Sequence, residues 1–467
     1  MLRFGTGGWR ALIGDEFTKQ NVQLICQAMC GLLDESGIVI GYDRRFLSDS
    51  AAIWAAEVFA ANQRKVWFID RISPTPLVMF AVKSYGINHG MAITASHNPA
   101  SYNGIKVFAS GGKDADRSLT DRIEALIPAV EEIKTVSFKQ GQADGWIEII
   151  NPMNSYVDSI LAQIDTEAIR KAALRVAIDP MYGVSRTALL SVLITARCDV
   201  AVINERHDTL FGGRLPSPEA STLHKLRDVV RDKRYVMGIA TDGDADRIGI
   251  IDSEGQYIHP NMLLAILYHY LLKHKGQTGD VVRNIATTHI LDAIAEDFGQ
   301  RSHEVPVGFK NISSKMQDVE ALIGGESSGG LTIRGHINGK DGIFASALLV
   351  EIVAVTGKSL TTYWKEIEER YGKRFWVETS YGYSVEKREE LLDLLFTQKV
   401  LPPFSEEVAR VSYEDGVKVY FQNGDWVIAR FSGTEPLIRV FSESQDEHKA
   451  GAYAKQFQQH LQLEQEG

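Results

Sequence analysis

The alternation of short apolar runs with helical stretches is the feature of this chain that most limits its fold. Apolar runs at residues 38–40, 66–69 and 90–93 are typical of buried strands, and stretches with helical apolar periodicity separate them. The same order of strand and helix recurs over residues 151–257 and 258–370. Strands that alternate with helices predict α/β domains with parallel sheets and right-handed crossovers.

The last part of the chain has a different pattern. Two apolar runs, 417–421 and 426–429, flank the sequence Gln-Asn-Gly-Asp, which is a strong hairpin signal because Asn-Gly adopts the positive φ of the turn. Helices are predicted over 387–396 and after Asp446. A chain of 467 residues is long enough for several cores. We therefore predict an α/β protein with three successive mixed α/β domains, 1–150, 151–257 and 258–370, and a C-terminal α+β domain, 371–467, around a central cleft.

The composition narrows the classes of partner. An apolar content of 44% and a charged content of 24% are those of a soluble globular protein, and a net charge of -10 disfavours nucleic acid and anionic membranes as partners. The N-terminus lacks a signal-peptide core, and the apolar run 262–272 is too short to span a bilayer. The three cysteines lack metal-ligand spacing. We expect reduced thiols in a cytoplasmic protein, a monomer or weak homodimer that binds small molecules.

Four polar segments stand out from this background, and the first is Thr-Ala-Ser-His-Asn-Pro at residues 94–99. It follows a buried-strand pattern, so Ser96 is predicted to lie in a turn at the carboxyl end of a strand, where α/β proteins place function. A Ser-His-Asp arrangement is not expected, because Ser96 and His97 are neighbours in a strand-like stretch and such neighbours point apart.

The second segment, 242–247, alternates Asp242, Asp244 and Asp246 before Arg247. Three close carboxylates repel one another unless a cation neutralises them, and hard oxygen ligands suit Mg²⁺. An EF-hand loop is excluded because Arg247 takes the place of its glycine and Ser253 that of its bidentate glutamate. An acidic turn without a metal is the alternative.

The remaining two segments are 324–329 and 430–436. The first satisfies Gly-x-Ser-x-Gly, the nucleophile elbow of serine hydrolases, but that elbow must open a helix and residues 331–333 continue as a strand pattern. The second holds a guanidinium, two hydroxyls and an unhindered backbone, and is predicted to bind an anion. Its members are Arg430, Ser432, Gly433 and Thr434, and Arg439 follows on the next strand, where it could simply face solvent.

With these four segments in this order, the chain resembles the α-D-phosphohexomutases, the family of the phosphoglucomutases, phosphomannomutases and phosphoglucosamine mutases. The resemblance runs nearly end to end. It implies an intramolecular phosphotransferase that interconverts hexose 1-phosphate and hexose 6-phosphate, with Ser96 carried as phosphoserine. It also implies Mg²⁺ on Asp242, Asp244, Asp246 and Ser96, and a sugar bisphosphate, such as glucose 1,6-bisphosphate, as intermediate and activator.

The same resemblance implies roles for further residues. Arg10 and Lys106 match active-site cations, and Arg247 is expected to steady the phosphate. Glu326 and Ser328 match contacts to sugar hydroxyls, and Lys310 matches a lysine near the sugar. The substrate-binding set implied in this way is His97, Lys310, Glu326, Ser328, Arg430, Ser432, Gly433, Thr434 and Arg439.

The sugar loop departs from the patterns of the subfamilies. Phosphoglucosamine mutases usually show Glu-Gln-Ser-Gly-His and dual glucose/mannose enzymes Glu-Met-Ser-Gly-His, whereas this chain has Ser327 and Gly330. Glucose phosphate is therefore the expected preferred substrate, mannose phosphate the second choice and glucosamine phosphate the third. The identity of the general acid/base residue is left open. Outside catalysis, a sugar-phosphate sensor on a mutase scaffold is the alternative.

Overall fold

A computed structural model describes residues 2–432 and 436–465 of the chain. Within them the chain forms four β-sheets, each covered by helices. The first three sheets combine parallel and antiparallel strands, and the fourth is antiparallel throughout. The predicted α/β class, with a C-terminal α+β part, is confirmed.

The first sheet has parallel strands at its centre and antiparallel strands at one side. Its strands are β1 (Trp9–Leu12), β2 (Ile38–Tyr42), β3 (Val66–Ile72), β4 (His89–Ile93), β5 (Tyr102–Ala109), β6 (Lys113–Asp114) and β7 (Ile147–Ile150). They follow the order β1-β5-β4-β2-β3-β7, with β6 paired to β5. β4 and β5 are antiparallel, whereas β4, β2, β3 and β7 run parallel. The helices are α1 (Lys19–Met29), α2 (Ser48–Ala61), α3 (Thr75–Ser84), α4 (Arg117–Leu126) and α5 (Phe138–Ala143).

The second sheet repeats this plan with the order β12-β11-β10-β8-β9. Its strands are β8 (Arg175–Asp179), β9 (Asp199–Val202), β10 (Met237–Thr241), β11 (Ile248–Asp252) and β12 (Tyr257–Ile258). β8, β9 and β10 are parallel, and β11 runs antiparallel to β10. Its helices are α6 (Met153–Leu161), α7 (Thr166–Ala172), α8 (Arg186–Thr195) and α9 (His224–Lys233).

The third sheet has the order β14-β13-β15-β16. Its strands are β13 (Val281–Asn284), β14 (Ser302–Val305), β15 (Ile323–Gly325) and β16 (Leu331–Ile333). β16 is again the antiparallel partner of the preceding parallel strand, β15. The helices are α10 (Pro260–Lys273), α11 (Ile290–Asp297), α12 (Phe309–Val319), α13 (Gly342–Thr356) and α14 (Leu360–Tyr371).

The fourth sheet follows the order β18-β19-β20-β21-β17-β22. Its strands are β17 (Phe375–Gly382), β18 (Val408–Ser412), β19 (Val417–Phe421), β20 (Trp426–Phe431), β21 (Leu437–Ser444) and β22 (Glu464–Gln465). β19 and β20 form the hairpin predicted from Asn423-Gly424. Its helices are α15 (Arg388–Leu392) and α16 (Glu447–His460).

The helix predicted over 387–396 is present, but its type of helical turn changes along its length. The stretch 387–396 is divided into a 3₁₀ turn, Val385–Lys387, the helix α15 and a π-helical turn, Asp393–Thr397. The wider last turn closes because the Gln398 N–H bonds to the Asp393 carbonyl at 2.9 Å and the Gln398 amide donates to the Asp393 carboxylate at 2.6 Å.

The loops singled out in the sequence occupy equivalent places in the first three sheets. Each joins the last parallel strand to the antiparallel strand that follows it: β4 to β5, β10 to β11 and β15 to β16. Because the chain must reverse there, each loop is a sharp turn at the carboxyl end of a parallel strand, the edge where ligands bind in α/β sheets.

The apolar cores show how the sheets are joined. The first and fourth sheets have cores of their own, whereas one continuous core, formed by residues from Met153 to Ile367 together with Leu77 of α3, serves both the second and third sheets. Among the described residues, no single helix has the length and apolar character to cross a membrane. The helices α13 and α14 have that length and apolar character only when taken together, and the pair is bent by 80°.

Candidate active site

Ser96 lies in the turn between β4 and β5, and its backbone is left-handed, with a φ of 51°. Its N–H donates to Thr94 Oγ1 at 2.9 Å. The Arg45 guanidinium donates to four carbonyl oxygens of this turn, those of Ser96, Asn98, Pro99 and Tyr102. A left-handed backbone is uncommon outside glycine and persists where its surroundings hold it. Arg45 is what holds this turn.

The Ser96 hydroxyl donates to Asp242 Oδ2 at 2.7 Å and is fully buried. Its oxygen also lies 3.3 Å from His97 Nδ1. The expectation that these two side chains point apart is therefore wrong, because it assumed an extended backbone and Ser96 is left-handed. The turn brings both side chains to one side.

The aspartate turn between β10 and β11 brings three carboxylates together. Asp242, Asp244 and Asp246 are fully buried, and one oxygen from each lies within 4.8 Å of the others. The Oδ1 atoms of Asp244 and Asp246 are buried without a hydrogen-bond partner in the described residues. Buried carboxylate oxygens without a donor are costly unless a cation reaches them. The donor set therefore fits a hard divalent cation such as Mg²⁺.

Cations surround these carboxylates. Lys106 Nζ donates to Asp244 Oδ2 at 2.6 Å and to Asp246 Oδ2 at 2.7 Å. Lys340 Nζ lies 2.9 Å from the same oxygen of Asp246, and Arg247 Nε is 3.9 Å from its other oxygen. Three carboxylates can lie this close together only because such cations offset their repulsion.

The pKa values show that the carboxylates are not equivalent. Burial, together with Asp244 and Asp246, raises the pKa of Asp242 well above its usual value. Burial also acts to raise the pKa of Asp246, but Lys106, Lys340 and Arg247 outweigh it and hold that pKa well below its usual value. The charge of Arg247, then burial, then Arg10 lower the pKa of His97 well below its usual value, so its imidazole is neutral.

Arg10, on β1, also contacts the serine turn. Its Nη1 donates to Asn98 Oδ1 at 2.5 Å. A Cβ on Gly7 would lie 2.6 Å from the Arg10 Nη2, so the glycine leaves room for the guanidinium. A small pocket lies beside this segment, lined by residues 4–8, Lys106, Asp114 and Lys310 among others. Lys310 is thus brought to the same cleft as Lys106.

The loop between β15 and β16 joins the aspartate turn directly. Arg247 and Gly330 form an antiparallel bridge, and the Ile248 N–H donates to the Gly329 carbonyl at 3.2 Å. Glu326 Oε1 accepts from Gly308 N at 3.2 Å, and Ser328 Oγ donates to Glu326 Oε2 at 3.5 Å. The loop continues into a strand, so it is not a nucleophile elbow.

The fourth segment lies at the end of β20. Arg430 and Arg439 are opposite each other on β20 and β21, so both side chains lie on one face of the sheet. The Ser432 N–H donates to the Leu437 carbonyl at 2.8 Å. Arg430 Nη2 donates to Asp415 Oδ1 at 2.8 Å. Gly433 and Thr434 lie outside the described residues.

Several residues of the site carry no signal in the sequence. Thr75 Oγ1 donates to Asp244 Oδ2 at 2.7 Å, while Arg45 and Lys340 make the contacts given above. Lys340 is held in place because Asp341, the next residue, caps α13 and accepts bonds from Ile343 N and Phe344 N. An N-capping aspartate can be read from the sequence, but the direction of the preceding lysine cannot.

Comparison with known proteins gives one consistent result along the chain. Four family models match: Phosphoglucomutase/phosphomannomutase alpha/beta/alpha domain I over residues 1–134, domain II over 154–255, domain III over 259–371, and the C-terminal domain over 354–460. The chain is 30% identical over 455 residues to a "Phosphoglucomutase/phosphomannomutase" of Thermococcus kodakarensis, with 96% of each chain covered.

Two further matches have different names. A "Phosphoglucosamine/phosphogalactosamine mutase" of Sulfurisphaera tokodaii is 29% identical, with 96% of each chain covered. The crystal structure of a "putative phosphomannomutase" from Thermus thermophilus superposes with a TM-score of 0.86 at 30% identity, covering 99% of each chain.

Proposed function

Since the chain belongs to the phosphoglucomutase/phosphomannomutase family of mutase enzymes, we propose that it interconverts hexose 1-phosphate and hexose 6-phosphate through phosphorylated Ser96. The observation that carries this proposal is the contact between the Ser96 hydroxyl and Asp242 at 2.7 Å, within three buried carboxylates and three cations. A hydroxyl in such a setting is suited to carry a phosphoryl group, because its added negative charge meets cations on several sides.

The proposed reaction consists of two phosphoryl transfers. In the first, the bond between phosphorus and Ser96 Oγ breaks while the oxygen of the free hydroxyl of the hexose phosphate forms a new bond to phosphorus, and the proton of that hydroxyl passes to Ser96 Oγ, giving a sugar bisphosphate. The bisphosphate reverses its orientation in the cleft. In the second transfer Ser96 Oγ gives up its proton and bonds to the other phosphorus, whose bond to the sugar oxygen breaks, and that oxygen takes up the proton. Lys106 and Arg247 lie where they can offset the charge of the transferring group.

Three residues supply the metal site in this proposal. Asp242, Asp244 and Asp246 would hold Mg²⁺, with an oxygen at Ser96 as a fourth ligand. The oxygen atoms without donors on Asp244 and Asp246 support this assignment. When bound, the ion supplies neutralisation of charge on the phosphoryl oxygens.

The sugar and its second phosphate are assigned to the other two loops. Glu326 and Ser328 would accept and donate bonds to sugar hydroxyls, with Lys310 and His97 nearby. Arg430, Ser432, Gly433, Thr434 and Arg439 would hold the phosphate that is not being transferred. Because either end of the sugar must bind there, recognition depends on charge more than on ring orientation.

Glucose phosphate is the proposed first substrate, from Ser327 and Gly330 in the sugar loop. The names of the relatives also include mannose and glucosamine, so the deciding experiment compares all three. Purified protein is assayed for kcat/KM on the 1-phosphates of glucose, mannose and glucosamine with catalytic amounts of the matching bisphosphate. A preference for glucosamine 1-phosphate would reverse the proposed order, and no turnover of any of them would refute the mutase proposal.

We also propose the four-domain division at residues 150, 257 and 370, and a cytoplasmic monomer or weak homodimer. The four separate sheets support the division. The three cysteines are buried and unpaired, which agrees with a reducing compartment.

A further inference from the structure

The arginine proposed to hold the phosphate is itself held by a carboxylate. Asp415 lies in the turn between β18 and β19, and its Oδ1 accepts from Arg430 Nη2 at 2.8 Å. Gly416 follows with a φ of 91°, and a Cβ there would lie 2.6 Å from Arg430 Cγ. The backbone of the turn thus lies directly against the arginine. Both charged side chains are mostly shielded, with 23% and 17% of their surface exposed, so water screens their contact less than on an open surface.

The second oxygen of Asp415 connects to a different sheet. Asp415 Oδ2 accepts from Val307 N at 2.7 Å. Val307 follows β14 of the third sheet, and the next N–H along the chain, that of Gly308, donates to Glu326 Oε1 at 3.2 Å. A path of hydrogen bonds therefore runs from Arg430 through Asp415 and the backbone at 307–308 to Glu326.

We propose that Asp415 is a positioning residue that sets the guanidinium of Arg430 at a fixed place relative to the segment 307–310 and Glu326. This proposal rests on the proposed function, in which Arg430 holds a phosphate and Glu326 the sugar of the same ligand. Arg430 belongs to the fourth sheet and Glu326 to the third, so the distance between them must match the length of one hexose phosphate. Asp415 bonds to both sheets, to Arg430 of the fourth and to the Val307 N–H of the third.

The chemistry of the carboxylate makes the proposal specific. Two donors converge on Asp415, and each takes one of its oxygens. An asparagine of the same shape has a single acceptor oxygen, so one of the two donors must lose its partner. On Arg430, Nη2 is the nitrogen that Asp415 engages, while Nε is buried and makes no hydrogen bond within the described residues.

The test measures the dissociation constant of glucose 6-phosphate by calorimetry for the wild type, Asp415→Asn, Arg430→Ala and the double variant. We expect Asp415→Asn to weaken binding about tenfold and Arg430→Ala by roughly ten- to a hundredfold, the loss typical of a hydrogen bond to a charged group. The double variant is expected to bind no more weakly than Arg430→Ala, within about twofold, because Asp415 acts through Arg430.

A matched control separates positioning from a general loosening of the junction. Tyr420, on β19, donates to Glu304 on β14, so Tyr420→Phe removes another bond between the same two sheets without touching Arg430. We expect Tyr420→Phe to change the dissociation constant less than about twofold. Thermal unfolding midpoints of all variants are measured alongside.

Each other outcome overturns a defined part of the argument. Asp415 is not a positioning residue if Asp415→Asn leaves the dissociation constant unchanged or if Tyr420→Phe weakens binding equally. The same conclusion follows if the fold loss of affinity in the double variant equals the product of the losses in Asp415→Asn and Arg430→Ala. An unfolding midpoint for Asp415→Asn far below that of Tyr420→Phe would make it a structural residue instead. If Arg430→Ala alone has no effect, the phosphate role in the proposed function fails first.

Discussion

The absence of a side chain at Gly330 is predicted to be necessary for the position of Lys340. A Cβ on Gly330 would lie 2.3 Å from Lys340 Cδ and 3.1 Å from its Cγ. Ordinary contacts between carbon atoms are about 3.5–4 Å, so Gly330→Ala forces the middle of the lysine side chain to move by about 1 Å or more. Its Nζ, now 2.9 Å from Asp246 Oδ2, cannot stay in place when the stem beneath it moves.

The size of the effect follows from what the ammonium contacts. Asp246 is fully buried, and the Lys340 side chain is 10% exposed, so solvent cannot replace the lost contact. A buried contact between charged groups of this kind contributes about 1.5–3 kcal/mol, which corresponds to roughly ten- to a hundredfold in an equilibrium or rate constant. We therefore expect Gly330→Ala to lower kcat/KM for glucose 1-phosphate by about that factor.

The assay compares steady-state kcat/KM for Gly330→Ala, Lys340→Ala and the double variant. Lys340→Ala removes the atoms with which the new methyl group collides, so the double variant should be no slower than Lys340→Ala alone. Gly451→Ala is the matched control, because a Cβ at that helical glycine meets nothing within 4 Å. Full activity of Gly330→Ala, or a double variant that shows the product of both single losses, would refute this reasoning.

Three further predictions concern the serine, the metal site and a buried histidine. Incubation with glucose 1,6-bisphosphate should add one phosphoryl group to the intact protein and none to Ser96→Ala, as read by mass spectrometry; labelling of the alanine variant would place the phosphate elsewhere. A chelator should abolish turnover and added Mg²⁺ restore it, while Asp244→Asn should lose activity and keep a cooperative unfolding transition; turnover that is indifferent to chelation would contradict the metal assignment. His259 accepts the Asn261 N–H at the start of α10, and burial lowers its pKa from 6.5 to about 4. Between these pH values the unfolded chain binds a proton that the folded protein excludes, so the free energy of unfolding should fall by about 3 kcal/mol as pH drops from 6.5 to 4. His259→Asn, which retains a capping side chain, should flatten this dependence in urea unfolding curves, and an unchanged slope would contradict it.

Local patterns of the chain were enough to predict the element types and two turns of the candidate site. Apolar periodicity distinguishes strands from helices because one face of each element must be buried, and Asn423-Gly424 marks its hairpin through the positive φ of the turn. The clustering of the aspartates at 242, 244 and 246 could be predicted because carboxylates that lie close in sequence meet without help from the rest of the fold. The position of Ser96 in a turn could be predicted for a similar reason, because breaker residues after an apolar strand must form a turn.

Side chains that converge from distant elements could not be read in this way. Arg45, Lys340 and Asp415 reach the site from a loop, a helix start and a turn whose mutual positions depend on how the sheets pack. The contact of Ser96 with His97 was missed because a left-handed φ at a serine is imposed by Arg45, which is far away in sequence. Gly330 is the clearest case: the chain shows that a side chain is missing there, but only the tertiary structure shows that the stem of Lys340 occupies its place, because steric exclusion depends on a neighbour that local sequence does not specify.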